Sequence, residues 1–537
     1  MIAGKSFVNN SKNIGLSLIL IFICIGISFA DVRLPAVISD NMVLQQEIKV
    51  PIWGWAEPNE DVIVKASWQS SGCSAKTGPD GKWSIRIDTP KAGGPYELVI
   101  EGTNKIILKD ILIGEVWVCS GQSNMAMPVK GWEAQPILNS KEEIETADYP
   151  MIRLFTVPQK VADQPQPDCT GRWQLCSPQT IADFSAVAYF FGRELHQKLN
   201  VPIGLIHTSW GGTPAEAWTS RQVLQSDPGF AHFLERFERE VAKYPENKAI
   251  YDKKFQEWEK SAAEAKTRGE AVPSRPWPEP LKHGHPHTPS GLYNAMICPL
   301  IPYGIKGAIW YQGEANAERA YQYRKLFPAM ITNWRNAWGQ GDFPFYFVQL
   351  ANFVLHFPGK EIIPERGLPG DDSWAELREA QLMTLNLSNT GMAVIIDIGA
   401  ANNIHPGNKQ DVGKRLALWA LAKDYGKDIV YSGPIYKKMV TEGDKIRLYF
   451  DHVGGGLVAK NGQLDGFAIA GSDKKFVWAD AEIQGDTVLL SSRQISEPAA
   501  VRYAWSIFPF CNLFNKEGLP ASPFRTDSWP GITIGQN

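Results

Sequence analysis

Between Val116 and Tyr425, short unbroken apolar runs alternate with segments of helical periodicity, and this rhythm restricts the fold more than any other property of the chain. Residues 116–119, 203–207, 308–311, 345–350 and 392–397 read as five strands buried on both faces. Residues 186–199, 321–338, 374–387 and 411–425 read as helices. In the last of these, Val412, Leu416 and Trp419 share one stripe, and Gly426 supplies a stop. Strands alternating with helices build a mostly parallel sheet covered on both faces, so the predicted class is α/β. The flanks differ. Residues 31–109 show short alternating runs such as Val62-Ile63-Val64, separated by Gly, Pro, Asn and Asp turns. Residues 428–537 return to that pattern, as in Ile446-Arg447-Leu448-Tyr449-Phe450. The expected organisation is a β-sandwich-like unit over 31–109, an α/β core over 110–427 and a β-rich region over 428–537. The last either stands alone or extends the first sandwich.

One segment breaks the core rhythm. Residues 235–270 are crowded with charges of both signs, yet Tyr251, Phe255, Trp258 and Ala262 recur at helical spacing. They read as a helical insertion of about 235–290, either a lid or a solvated helix pair. Its tail, 273–289, is rich in Pro and His and reads as an exposed loop. His283, His285 and His287 there look like a metal tract but lack the acidic or thiol company of a firm site. At the amino terminus, Lys5 and Lys12 precede an apolar stretch ending at Ser28-Phe29-Ala30. This reads as a secretory signal over 1–30, giving a periplasmic or extracellular protein that starts at Asp31. The run is short for a membrane span. Removing it takes two lysines and no acids from a chain of formal charge −3, so a nucleic-acid partner is not expected. Six cysteines remain, scattered in a chain large enough to fold without staples; Cys169 and Cys176 are close enough in sequence to pair. The 19 tryptophans fill β cores or meet sugars.

The polar motifs cluster at strand ends. Gly121-Gln122-Ser123-Asn124-Met125 follows the first strand, placing Ser123 on a tight turn at the rim where ligands bind in open α/β sheets. After the second strand comes Thr208-Ser209-Trp210-Gly211-Gly212-Thr213, whose glycines let backbone N–H groups approach a ligand. After the third comes Tyr311-Gln312-Gly313-Glu314-Ala315-Asn316, with amides able to donate to a developing oxyanion. After the fifth comes Asn402-Asn403-Ile404-His405-Pro406, an imidazole poised to take a proton from Ser123. For Gly211 a plain turn before a helix explains the residue equally well, and for Asn316 a loop-stabilising hydrogen bond is a serious rival reading. His207, at the end of the second strand, lines the site or packs beside it.

These motifs resemble those of the SGNH-type carbohydrate esterases, and within them the sialate O-acetylesterase group. The resemblance spans nearly the whole chain after residue 30, from Leu34-Pro35 and Ser39-Asp40-Asn41-Met42 to Gly518-Leu519-Pro520-Ala521. It implies a flavodoxin-like three-layer core and removal of O-acetyl groups from sugars without metal or cofactor. By that resemblance Ser123 matches the nucleophile and His405 the base. The N–H groups of Ser123 and Gly212 match oxyanion donors, joined by the side chain of Gln312. One departure stands out: the aspartate that the wider superfamily carries three residues before its histidine is Asn402 here. In a serine protease the Asp-to-Asn exchange costs on the order of ten-thousand-fold in rate. A backbone carbonyl therefore orients His405, or an acid arrives from elsewhere, Asp397 and Glu314 being nearest in sequence. Trp210, Tyr293 and Asn294 are candidates for sugar contact. The expected substrate is an O-acetylated sialic acid, for whose carboxylate Arg319 and Arg378 are candidate partners. The alternatives are acetylated plant polysaccharide such as xylan, and a carbohydrate-binding protein without catalysis.

Overall fold

The computed structural model describes residue 1 and residues 31–270, 272–273, 275–276, 279–354 and 367–536. The expected signal, residues 1–30, lies outside the described residues apart from residue 1. The backbone of the molecule is one long strand, Lys105–Gly121, that serves two sheets. Its first half alternates exposed and buried side chains and pairs antiparallel with Gly93–Glu101. Its second half, from Ile111, is buried throughout and pairs parallel with Ile203–Ser209 on one side and Gly307–Tyr311 on the other. The change of pattern follows the change of surroundings: the first half has one face in solvent, the second has helices on both. Asp110 marks the join with a left-handed backbone (φ 56°), and its carboxylate pairs with the buried Arg153 at 2.9 Å. The boundary expected at 109–110 falls inside this strand.

Across the core the order is Thr390–Ala393, Phe345–Val348, Gly307–Tyr311, Lys105–Gly121, Ile203–Ser209, Tyr149–Thr156 and Trp173–Cys176. All neighbours are parallel except the last pair. The five expected strands thus lie in the flavodoxin-like order 2-1-3-4-5, with two further strands added beyond the second. Ala186–Leu199 packs with Lys409–Lys423 over one face, and Ala320–Trp338 with Ser373–Met383 over the other, giving three layers. The order in which strands are added reverses between the first and third, so a crevice opens at their carboxyl ends, and Ser123 stands there.

The amino-terminal β region shares one continuous apolar core with the α/β layers, from Val32 through Ile113 to Leu421. The carboxyl-terminal region has its own, built from Ile446, Leu448, Val488, Leu490, Val501 and Phe524. It is therefore a packed unit and not a continuation of the first sandwich. Arg378 fastens it to the core: fully buried, this guanidinium donates to the carbonyls of Leu350 and Ala351 on one side and Ser506 and Ile507 on the other. The insertion forms two helices, Pro228–Ala242 and Tyr244–Arg268. The second carries the expected stripe, with Tyr251 stacked on Phe255 and Trp258 donating to the carbonyl of Pro273 at 2.7 Å. Among the described residues no helix is long and apolar enough to cross a membrane.

Candidate active site

Ser123 opens the short helix Ser123–Ala126 directly after the central strand. The turn depends on Gly121 (φ 145°): a Cβ there would stand 2.1 Å from the carbonyl oxygen of Tyr311. Without one, the Gln122 N–H reaches that same oxygen at 2.9 Å and the nucleophile turn is tied to the third strand. The Trp210 N–H donates to the Gly121 carbonyl at 3.1 Å, tying it to the second strand as well. Gly211 passes close by, since a Cβ on it would lie 3.3 Å from the Ser123 Cβ. Gly212 follows with φ 72°. Among the described residues the N–H groups of Ser123 and Gly212 donate to no protein acceptor. Backbone donors left unengaged in this way are what a developing oxyanion needs.

The Gly212 turn is braced from behind. His287 Nε2 lies 2.8 Å from the Gly212 carbonyl oxygen, and an acceptor there requires Nε2 to carry the proton. Burial holds its pKa below the ordinary range, followed by opposing influences of the carbonyl and nearby charges. The end of the tract expected as an exposed loop, around His285 and His287, is thus folded inward, while His283 stays exposed. His285 is buried, and its Nδ1 accepts from the His287 N–H, which helps set the path of the loop. Next to the turn, Glu216 is buried and accepts from Arg236 and Arg319, both at 2.8 Å, and from Asn316 at 2.9 Å. Its carboxyl is held low, at about 2: burial opposes ionisation, but the two guanidinium groups outweigh it.

His405 arrives from the loop after the fifth strand. Its N–H donates to Asn403 Oδ1 at 2.9 Å, which sets the entry to the turn. What brings it to Ser123 is Asn124, whose Nδ2 donates to the carbonyl of Ile404 at 3.0 Å. The residue after the serine thus holds the residue before the histidine. On the far side, His405 Nδ1 lies 3.0 Å from Gln135 Oε1. An amide oxygen only accepts, so Nδ1 carries the proton and Nε2 keeps its lone pair. Trp132 packs edge-on against the ring at 4.9 Å, from the same tight hairpin, in which Trp132 and Gln135 exchange backbone hydrogen bonds. Burial lowers the imidazole pKa to about 4, helped by the Lys409 ammonium nearby. An imidazole so held is an unprotonated base at neutral pH. Among the described residues Ser123 Oγ and His405 share no hydrogen bond, as is common in substrate-free sites where the contact tightens on binding.

Several expected roles are corrected by these contacts. Gln312 does not aim at the oxyanion: its amide nitrogen, Nε2, donates to Thr213 O and Asn316 Oδ1, and its Oε1 accepts from Tyr323 Oη. It buttresses the glycine turn instead. Asn316 does the same, accepting from the Ala215 N–H at 2.9 Å. Asp397 forms a two-pronged pair with Arg415, at 2.6 and 2.8 Å, which engages both of its oxygens. Glu314 accepts from Asn124 Nδ2 at 2.7 Å and, among the described residues, shares no hydrogen bond with His405. Asn402 is exposed. Tyr293 and Asn294 line a separate cleft of about 560 Å³ with Asn333 and Gln222. Trp210 remains at the rim, half-buried beside the glycine turn. Arg378 is engaged with backbone carbonyls, and Arg319 with Glu216. His207 is buried with its Nε2 2.6 Å from Ser209 Oγ. Cys169 and Cys176 are both free thiols. Gln135 and Arg236 were not anticipated. The first sits in a polar stretch with no periodicity, the second among the many charges of the insertion, and neither carries a signal short of the folded geometry.

Comparison with known proteins places the chain in a family. Residues 285–421 match the family model described as a carbohydrate esterase, sialic acid-specific acetylesterase. The sialate O-acetylesterase of Rattus norvegicus is 32% identical over 96% of this chain and 98% of its own. That of Homo sapiens is 30% identical over 94% of each. A carbohydrate acetylesterase from Xanthomonas citri superposes with a TM-score of 0.76 at 36% identity, covering 93% of this chain and all of that one. With relatives this similar along nearly their whole length, the chain belongs to the sialate O-acetylesterase family and is a carboxylic ester hydrolase.

Proposed function

We propose that Ser123 and His405 carry out the hydrolysis, with Gln135 in the place an acid usually holds. The observation that carries this reading is the pair of contacts on the histidine: Asn124 tethers its loop beside Ser123, and Gln135 holds its Nδ1–H. His405 Nε2 takes the proton as Ser123 Oγ attacks the acetyl carbonyl carbon. The carbonyl oxygen becomes an oxyanion, met by the N–H groups of Ser123 and Gly212. As the tetrahedral species collapses, the bond to the sugar oxygen breaks and His405 returns its proton to that oxygen. Water then attacks the acetyl-serine, giving its proton to His405. Acetate leaves, and Ser123 Oγ recovers the proton. A neutral amide orients the ring without stabilising the imidazolium as a carboxylate does. The Gln312–Asn316 support of the glycine turn keeps the donors in place without side-chain donation to the oxyanion.

The substrate proposed is an O-acetylated sialic acid, which carries a carboxylate. Two arginines, Arg236 and Arg319, share the single carboxylate of Glu216 beside the Gly212 turn, leaving one positive charge in excess there. A neutral acetylated polysaccharide is the second reading, favoured by the internal engagement of Arg319 and Arg378. We also propose export through cleavage near Ala30. Acetate release measured from O-acetylated sialic acid and from acetylated xylan, with Ser123→Ala and His405→Ala alongside, tests the reading. Loss of release in both variants, with sialic acid the better substrate of the wild type, supports it. Retained turnover in Ser123→Ala overturns the mechanism, and preference for xylan overturns the substrate.

A further inference from the structure

Behind the reacting groups lies a buried chain of three side chains that the hydrolytic steps do not use. Asn124 is 1% exposed and Lys409 is fully buried. Lys409 Nζ donates to Asn124 Oδ1 at 2.5 Å, and Asn124 Nδ2 donates to Glu314 Oε1 at 2.7 Å. The other Nδ2 hydrogen goes to the Ile404 carbonyl. The cation and the anion thus face opposite ends of one carboxamide. Lys409 also lies 5.3 Å from the centre of the Tyr311 ring, and the second Glu314 oxygen, Oε2, is buried without a hydrogen-bond partner.

An asparagine amide has nearly the same shape either way round, and packing alone distinguishes the two ends poorly. Only one orientation serves the site, because only nitrogen can donate to Ile404 and so hold His405 beside Ser123. Turning the amide over would set its oxygen against a carboxylate and its nitrogen against an ammonium. Both charge-assisted hydrogen bonds would be lost and replaced by repulsion. We propose that Lys409 and Glu314 are positioning residues that lock the polarity of Asn124, and that Asn124 is the positioning residue that sets the Ser123–His405 distance. This rests on the reading of Ser123 and His405 as the reacting pair. It explains why an ammonium and a carboxylate are kept in the interior with an amide between them, where apolar side chains would pack as well.

The test uses p-nitrophenyl acetate as substrate and the full chain. Asn124→Asp preserves shape but cannot donate to Ile404. The double variant Glu314→Gln/Lys409→Met preserves the amide and removes both charges that orient it. In Asn124→Asp, kcat falls about 100-fold with KM within about twofold, the scale of a 1 Å misplacement. In the double variant, kcat falls by roughly tenfold because the amide populates both orientations, again without a change in KM. Thermal melting identifies which variants are folded; if Asn124→Asp does not fold, the double variant decides. A folded Asn124→Asp with wild-type kcat, a double variant with wild-type kcat, or a loss confined to KM overturns the proposal. Ser123→Ala separates the two readings. If it stays active, the assignment of the reacting pair fails; if it is dead while the network variants are unimpaired, only the lock fails.

Discussion

Gln135 is where this site departs furthest from a serine–histidine–acid arrangement, and its replacement gives the sharpest test. Its Oε1 is the partner of His405 Nδ1 at 3.0 Å. In Gln135→Ala that N–H loses its acceptor in a largely buried setting, a cost of about 1–3 kcal/mol. If the cost falls on the productive tautomer and orientation, kcat drops by roughly 5- to 150-fold, at 1.4 kcal/mol per factor of ten. In Gln135→Glu a carboxylate replaces the amide at the same contact. Two unit charges 4 Å apart interact by about 4 kcal/mol at an effective dielectric of 20. Gln135 is half-exposed, so solvent screening reduces that, and a rise of roughly 1–2 pKa units is expected. The wild-type imidazole sits at about 4, chiefly through burial, so the wild-type rate holds from neutral pH down to about that value and falls below it. In Gln135→Glu the acid limb moves up to roughly pH 5–6. The assay is kcat/KM for p-nitrophenyl acetate between pH 3.5 and 9, with melting curves as a check on folding. An acid limb that stays put in Gln135→Glu, together with unaltered kcat in Gln135→Ala, would refute the assignment of Gln135 to the histidine.

Two further outcomes follow from neighbouring groups. Asp397→Asn breaks the enclosed pair with Arg415, so stability falls by about 3 kcal/mol while kcat on p-nitrophenyl acetate stays near wild type; a collapse of kcat in the folded variant would restore Asp397 as the missing acid. His207 and His405 both have pKa values lowered to about 4 by burial, against 6.5 for an exposed imidazole. The unfolded chain binds more protons between those values, so their contribution to stability is complete above pH 6.5 and is lost as pH falls through about 4. Urea unfolding should show lower stability at pH 5 than at pH 7, and equal stability at both would contradict the burial of these rings.

The five core strands were legible because buried strands read as apolar runs, although the fifth, Thr390–Ala393, ends four residues before the expected 392–397 does, and the helix Ala186–Leu199 was legible too. The two added strands, Tyr149–Thr156 and Trp173–Cys176, were not. The first carries Pro150 and Arg153, residues that argue against a buried strand until Arg153 is seen donating to the carbonyls of Pro150, Asn41 and Asp110. The His tract misled for a similar reason: Pro-rich, polar sequence looks solvent-exposed, yet His287 turns inward to one carbonyl of the glycine turn.

Sequence alone determined the layered α/β core, the rim motifs and the family, because burial periodicity and short turn motifs are local properties of the chain. It also placed Ser123, Gly212 and His405 at strand ends that a parallel sheet must bring to one edge. Only tertiary structure decided which side chains engage which. Gln135 meets His405 across 270 residues, Asn124 meets Lys409 across 285, and Gln312 turns from the oxyanion to the glycine loop. Hydrogen-bond partners this distant depend on loop paths and on competition among several amides for the same donors and acceptors, and neither is written in any local stretch of residues.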